Sequence, residues 1–561
     1  MNFKKNIFVF IGIAAFMLVA IWGGITLTKN LGKSDKVITT ENANEELEGF
    51  YKKITVHNVT PRKESVTLTD NSIDKTLPDI SKYQPSVNNN TDTFIEIFSS
   101  TEKTGEKKDG WLNEVAKDFN NSNIQVNGKT VSVRIRGLAS GTGMDYITSG
   151  KYVPDAYTPS NELWGEIAKS KGVNIKLADK RLLGNVSGIL LSKSKNNELM
   201  QKYGSINLKT IVDSTINNEI QMGYTNPLSS ATGLNFLVST LNTFDSSNPL
   251  SETAVSNFEK FQGNIPLVAY TTLQMRDSAQ AGTLDGMVME YQTYINSPDL
   301  KSDYIFTPFG YRHDSPLYKV GDLSAEKEEI LSKFIDFCKK DKYQNLANED
   351  GFNQHNDYKA EMTEMNGDTI LQALKVWKEK KNSNKNISAV FVADISGSME
   401  GQPLNRLKES LLNSSQFISK DTSIGLVSYS DDVNINLPIG KFDLNQRSLF
   451  TGAVKDLKAN GGTATLDAVL VATKMLMEEK EKDPDSKLML FVLSDGNANR
   501  GLSLKEIKGI LEAYKIPVYT IGYNANIQAL QNLSQINEAA SIDADSEDVV
   551  YKLSNLFNAE M

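Results

Sequence analysis

The chain has 561 residues, enough for about three domains at the usual ~150 residues each. A hydrophobic fraction of 39% and a charged fraction of 23% are ordinary for a globular protein, and a net charge of −9 without a long Lys/Arg run argues against a nucleic-acid footprint. The single cysteine, Cys338, excludes an internal disulfide framework and a Cys-rich metal centre, and three histidines widely separated in sequence argue against a zinc centre or a Ser-His-Asp triad.

At the N-terminus, Lys4 and Lys5 precede an uncharged, mostly apolar run from Ile7 to Leu27. That is about the twenty residues a membrane-spanning helix needs, and longer than a signal-peptide core. No small-x-small cleavage site stands out after it, and a buried soluble helix would show a polar face that this run lacks. Residues 1–30 are therefore expected to be an uncleaved, single-pass anchor in a cell membrane, with the body on the extracytoplasmic side. Residues 31–90 are polar, and are expected to form a stalk or linker with a strand or two near Tyr51–Val59.

From Thr93 onward, strand and helix signals alternate. TFIEIFSST reads as a short strand ending in hydroxyls, and GWLNEVAKDFN as a helix with Leu112, Val115, Ala116 and Phe119 on one face. VSVRIRGLASGTG is a strand entering a Gly/Ser/Thr loop, SGILLSKS a strand, and GYTNPLSSATGLNFLVSTL a loop and a helix. GTLDGMVMEYQTYI is a turn and a strand. A helix then places Ile330, Leu331, Phe334, Ile335 and Cys338 at core spacing, so the thiol reads as a buried structural one. This alternation bounds one unit at 91–365, followed by a helical linker over 366–386 and a last domain over 387–561. In that domain ISAVFVAD, SIGLVSYS, LMLFVLSDG and IPVYTIGY are buried strands with amphipathic helices between them. Strands apolar throughout belong in the middle of a parallel sheet covered on both faces, so the fold class is α/β with mainly parallel sheets.

Ligand sites in such sheets form at the carboxyl ends of the strands. Asp394, Ser396 and Ser398 follow the first strand of the last domain, Asp495 follows LMLFVLS, and Thr463 lies in NGGTAT before a helix. Each segment alone reads as a helix cap or a turn. Together they are hard oxygen donors without sulfur or imidazole, suited to Mg²⁺, Mn²⁺ or Ca²⁺. With DISGSM, GGT and LSDG, the region resembles a von Willebrand factor A (VWA) domain, a doubly wound, mainly parallel Rossmann-like fold with a metal-ion-dependent adhesion site (MIDAS). The resemblance implies that Ser396, Ser398 and Thr463 supply hydroxyl oxygens and that Asp394 and Asp495 sit close to the ion, directly or through water. It also implies a coordination position left for the carboxylate of a protein partner.

The preceding unit resembles the two-lobed, periplasmic-binding-protein-like domains of bacterial extracellular solute-binding proteins, through FSSTEKTGEKKDGWL, PDAYTPSNELW, GYTNPLSSATG and FIDFCKKDKYQNLANEDGF. Hydroxyl-rich loops entering helices can hold a small ligand or an anion. The candidates are Ser99, Ser100 and Thr101, Ser140 and Thr142, Ser160, and Ser229, Ser230 and Thr232. Plain helix capping is the competing reading for each, and loss of ligand binding in favour of a scaffold role stays open for the whole cleft. No phosphate loop, HExxH or GxSxG with suitable partners is present. The expected function is thus that of a non-enzymatic, membrane-anchored binding protein, with the solute-binding subunit of a transport system for an oxyanion or other small solute as the alternative.

Overall fold

The structure, a computed structural model, describes residues 40–66, 72–265, 267–269, 275, 284–360, 362, 365–383, 385–496, 498–523, 530, 533, 534, 541–543 and 549–561. The expected anchor lies outside these, and among the described residues no helix is long and apolar enough to cross a membrane.

The first strand, β1 (Val56–Asn58), joins a sheet whose other strands lie more than 300 residues away. Next, β2 (Thr93–Ser99), β3 (Gln125–Val126), β4 (Lys129–Gly137), β5 (Ala156–Thr158) and β6 (Ile175–Asp179) build one lobe. The chain then crosses to a second lobe for β7 (Val186–Ser192), β8 (Met222–Thr225), β9 (Leu267–Ala269), β10 (Gly286–Glu290) and β11 (Tyr304–Arg312), and returns to the first for β12 (Leu317–Val320). The strand orders are β3-β4-β2-β5-β12-β6 and β11-β7-β10-β8-β9. The central pairs β2–β4, β2–β5 and β8–β10 are parallel, whereas β7 and β12 pair antiparallel with their neighbours. Apolar side chains cover the first sheet: Ile95, Ile97 and Val133 meet Trp111, Phe119 and Phe334 in one core. Cys338 lies in that core, and burial pushes its thiol well up, as expected of a structural thiol.

The lobes touch directly. The Gly141 N–H donates to Ser229 O at 2.9 Å, and a Cβ on Gly141 would stand 2.1 Å from Leu228 O. Only a glycine lets the two backbones approach this closely. Gly141→Ala is expected to lower stability by about 1–3 kcal/mol in urea unfolding, the usual cost of overpacking. Gly49→Ala, where a Cβ meets nothing within 4 Å, is the control with no such cost.

The helix expected as a linker belongs to the two-lobed unit. Gly367–Lys380 buries Ile370, Ala373, Leu374 and Trp377 in its core, and the Trp377 indole donates to Tyr224 OH at 2.6 Å. The sequence pattern placed a boundary here because the exposed face is rich in lysine and glutamate.

The last domain is a seven-stranded sheet in the order β1-β15-β14-β13-β16-β17-β18. Its strands are β13 (Ile387–Asp394), β14 (Thr422–Tyr429), β15 (Val433–Lys441), β16 (Lys487–Ser494), β17 (Val518–Gly522) and β18 (Ser541–Asp543). Neighbours from β14 through β18 run parallel, as the unbroken apolar strands require. Successive residues of β13 serve opposite cores: Val390 and Val392 face Val469, Leu470 and Leu476, while Phe391 and Ala393 face Phe450 and Phe557.

The stretch expected as a polar stalk is structured over its described residues. The helix Thr40–Tyr51 buries Leu47 in the C-terminal domain, with Phe50, Ile54 and Val56 packed alongside. β1 then pairs in parallel with β15, an edge strand that would otherwise expose its ladder groups. Arg62 Nε reaches Asp456 at 2.9 Å, and the Glu64 N–H donates to Ser448 O at 3.2 Å. Farther on, Val87 bridges to Ile135 and Pro78 O accepts Tyr146 OH at 2.8 Å, so residues 72–90 lie on the first lobe. Composition suggested a stalk because a segment that covers a finished surface needs few apolar residues.

Candidate metal centre

The register of the C-terminal sheet assembles the site. β13 and β16 are neighbours paired through Ala393 and Leu493, so the next residues, Asp394 and Ser494, leave the sheet side by side. Asp394 is fully buried, with one carboxylate oxygen accepting the Ser396 N–H at 2.8 Å and the other accepting Ser494 Oγ at 2.5 Å. A 3₁₀ turn at Gly397–Met399 folds the chain so that Ser396 Oγ and Ser398 Oγ stand 3.0 Å apart. Ser398 Oγ in turn donates to Asp495 Oδ1 at 2.9 Å. Ser396 is buried, whereas Gly397 and Ser398 are exposed, so the chain of oxygens runs from the sheet to solvent.

The third loop is stapled to the first by Gly397 N–H donating to Gly461 O at 3.0 Å. It is held from the other side by Asn499, whose side-chain oxygen accepts the Thr463 N–H at 2.9 Å. Thr463 as a residue is 5% exposed, and its hydroxyl oxygen, which makes no hydrogen bond among the described residues, is left open at the site. All five residues expected at the site from sequence are thus brought to one sheet edge.

Burial pushes the Asp495 carboxyl up, the Asp394 carboxylate adds to this, and the Ser398 hydrogen bond opposes it. Burial, and then Asp394, also hold the Tyr429 phenol far above its ordinary range, so Tyr429 stays neutral beside the site. Two neighbouring carboxylates and a hydroxyl that no described protein group uses fit a small divalent cation. Among the described residues no group of three or more His, Cys, Asp or Glu is gathered, and this donor set of two carboxylates and three hydroxyls differs from such a group. At the rim, Asp431 accepts the Gly462 N–H at 3.0 Å and pairs with Arg500 at 2.9 Å. Ser494, Asn499, Asp431 and Arg500 were not singled out from sequence. Ser494 had a signal in the strand end LSDG; the other three are placed by the fold alone.

The hydroxyl candidates of the two-lobed unit meet differently. Ser100 and Ser160 both donate to Glu102 Oε1, at 2.6 and 2.8 Å, and Lys103 lies 3.3 Å from the same oxygen. From the other lobe, Glu290 holds His313 Nδ1 at 2.7 Å, and the far ring nitrogen lies 3.1 Å from Asn161 and 3.2 Å from Asn235. Every member of this network is buried. Burial disfavours the Glu102 carboxylate, but Lys103 and the two serines outweigh it and hold it low; burial lowers Lys103, and burial followed by the Glu102 charge raises Glu290.

Of the other candidates, Ser99 Oγ donates to Ser100 O at 3.3 Å and Thr101 opens a 3₁₀ turn. Ser230 caps a helix through Gly233 N–H, and the carbonyls of Ser140 and Ser229 accept from Tyr157 OH and Gly141 N–H. Thr142 meets Tyr551 OH of the C-terminal helix at 3.2 Å, and Thr232 is buried inside a helix. Sequence reasoning missed Glu102, Lys103, Glu290 and His313, since nothing in the chain order pairs a residue near 100 with others near 300. Ser160→Ala is expected to cost about 2 kcal/mol in chemical unfolding, because it removes one donor to a buried carboxylate.

Residues 389–559 match the von Willebrand factor type A domain. Bovine (Bos taurus) inter-alpha-trypsin inhibitor heavy chain H3 is 30% identical over 176 residues, which are 28% of this chain and 19% of that protein, so the chain spans about a fifth of that relative's length. A periplasmic thiamin binding protein aligns with TM-score 0.39 at 9% identity, over 53% of this chain and 99% of that one. The sulfate-binding protein SubI of Mycobacterium tuberculosis H37Rv aligns with TM-score 0.35 at 15% identity, over 47% of this chain and 88% of that one. The C-terminal part of the chain, residues 389–559, is a von Willebrand factor type A domain.

Proposed function

We propose that this is a non-enzymatic, membrane-anchored extracytoplasmic binding protein whose VWA domain takes up a divalent cation and engages a protein partner through it. Ser396, Ser398 and Thr463 would hold the ion by their hydroxyl oxygens, with Asp394 and Asp495 beside it directly or through water. Mg²⁺ is the first choice, with Mn²⁺ or Ca²⁺ as substitutes. Bound there, the cation supplies a Lewis-acidic position that a partner's carboxylate can take from water. The observation that carries this reading is the Thr463 hydroxyl, which no described protein group uses, on a loop tied by Gly397 N–H to the turn that holds Ser396 and Ser398.

The two-lobed unit acts in this reading as a scaffold. Its expected oxyanion loops spend the Ser100 and Ser160 hydroxyls on the Glu102 carboxylate, which would also repel an anion. This disfavours transport of an oxyanion. The anchor assigned to Ile7–Leu27 would be tested by retention of the chain in membranes during alkaline extraction.

Water-proton relaxation of Mn²⁺ titrated into the full chain tests the metal reading. One bound ion with exchangeable water is expected, and added acetate should lower the enhancement by displacing that water. An absence of bound Mn²⁺ would sink the metal reading, and binding insensitive to acetate would sink the carboxylate partner.

A further inference from the structure

The C-terminal helix Val549–Glu560 has two buried faces. Leu553 and Phe557 pack on the VWA sheet, while Tyr551 packs in the core of the two-lobed unit. Tyr551 OH donates to Asp145 Oδ2 at 2.9 Å. Beside this contact lies a cavity of about 590 Å³, within the range of small-molecule sites. It is independent of the metal centre and of the Glu102–Glu290 network, since it is walled by the first lobe, the helix Gly367–Lys380 and the C-terminal helix.

Its walls are apolar, with Met144, Trp164, Leu371 and Leu374 among them. Asn555 and Asn558 also line it, three residues apart and so on one helix face. Asn558 is 5% exposed, and its side-chain amide has no hydrogen-bond partner among the described residues. Lining the cavity, that amide is open to hydrogen-bond a polar group bound there. Lys171 and Lys378 also line the cavity, and neither is in an ion pair among the described residues. Asp145 and Asp74 lie there too and would oppose an anion. For Asp145 the opposition is reduced, because burial pushes its carboxyl up to about 6 and favours the neutral form.

We infer that this junction is a binding site for a small organic carboxylate with an apolar body, its head group met by Lys171, Lys378 and the Asn558 amide and its body by the Trp164 and Leu374 walls. Because both folded units line the cavity, occupancy ties the joint between them to the concentration of such a ligand. Asp145 stays paired with Tyr551 beneath the ligand.

The probe is 4-phenylbutyrate, titrated by calorimetry into the full chain in a neutral maltoside detergent, with a detergent blank. Saturable binding with one site per chain is expected. Neutral 4-phenylbutanol should bind at least tenfold more weakly, and the double variant Lys171→Ala, Lys378→Ala should lose at least tenfold for the acid and little for the alcohol. Ser149→Trp, at an exposed rim position, should block both probes without touching the core. No saturable heat overturns the site, as does binding unchanged by Ser149→Trp. Equal affinity for acid and alcohol, or no loss in the lysine variant, overturns recognition of an anion.

Discussion

Thr463→Val is expected to leave the metal-free melting temperature within about 2 °C of wild type while removing most of the rise that Mg²⁺ produces. The two halves of this result have separate causes. The Thr463 hydroxyl makes no hydrogen bond in the described protein, so an isosteric methyl in its place removes none and costs little. The same oxygen is proposed to hold the cation, so its loss shows only when the cation is present. At one hundred times its Kd, a ligand bound only by the folded state adds about 2.7 kcal/mol, or about 5–10 °C for a domain of this size.

Other variants separate ligation from packing. Ser396→Ala should also abolish the response, with a metal-free loss of about 1 kcal/mol for the hydrogen bond to Ser398. Asp394→Ala should lose the response and about 1–3 kcal/mol besides, since the Ser396 N–H would be left buried without its acceptor and the Ser494 hydroxyl would keep only Gly496 O at 3.3 Å. Differential scanning calorimetry of the full chain with Mg²⁺ and with EDTA reads all three. An undiminished Mg²⁺ response in Thr463→Val would remove that residue from the ion.

How much of this was legible differs between the two halves of the chain. The metal centre could be read because its donors sit at strand ends, where apolar runs such as VFVAD and LMLFVLSD stop abruptly at carboxylates. Local pattern gave the strands, and parallel pairing brought their ends together. The network of Glu102, Lys103, Glu290 and His313 was not legible. Its members come from two lobes between which the chain crosses twice, and a lone His313 in sequence looks the same whether or not a buried glutamate awaits it. The hydroxyls of Ser100 and Ser160 were identified as polar groups at strand-to-helix junctions, but their shared partner is the Glu102 side chain, two residues from Ser100 and in a different loop from Ser160. The segment before residue 66 was misread for a third reason. Hydrophobic periodicity reports how much apolar surface an element buries, and a single covering helix that inserts Leu47 buries little.

That covering segment makes the second large prediction. Leu47→Asp is expected to lower the unfolding free energy of the C-terminal domain by about 3–5 kcal/mol, since it places a charge where the side chain is 3% exposed. The cost has a ceiling. Residues 40–66 can undock, so the loss cannot exceed the free energy with which they bind, including the β1–β15 pairing and the Arg62–Asp456 contact. Gly452→Val strikes the same segment from the opposite partner, because a Cβ there would stand 2.0 Å from Arg62 O. About 1–3 kcal/mol is expected for it alone. Both changes release one segment, so the double variant should cost clearly less than the sum. Additive losses in urea unfolding of the full chain would show that the segment does not dock as a unit. Less-than-additive losses make the two-lobed unit an insertion within the C-terminal domain: the chain lays down one edge strand, builds both lobes, and only then completes the sheet. Its N-terminal segment is thereby tied to the domain that carries the metal centre, with the lobes held to one side by the C-terminal helix.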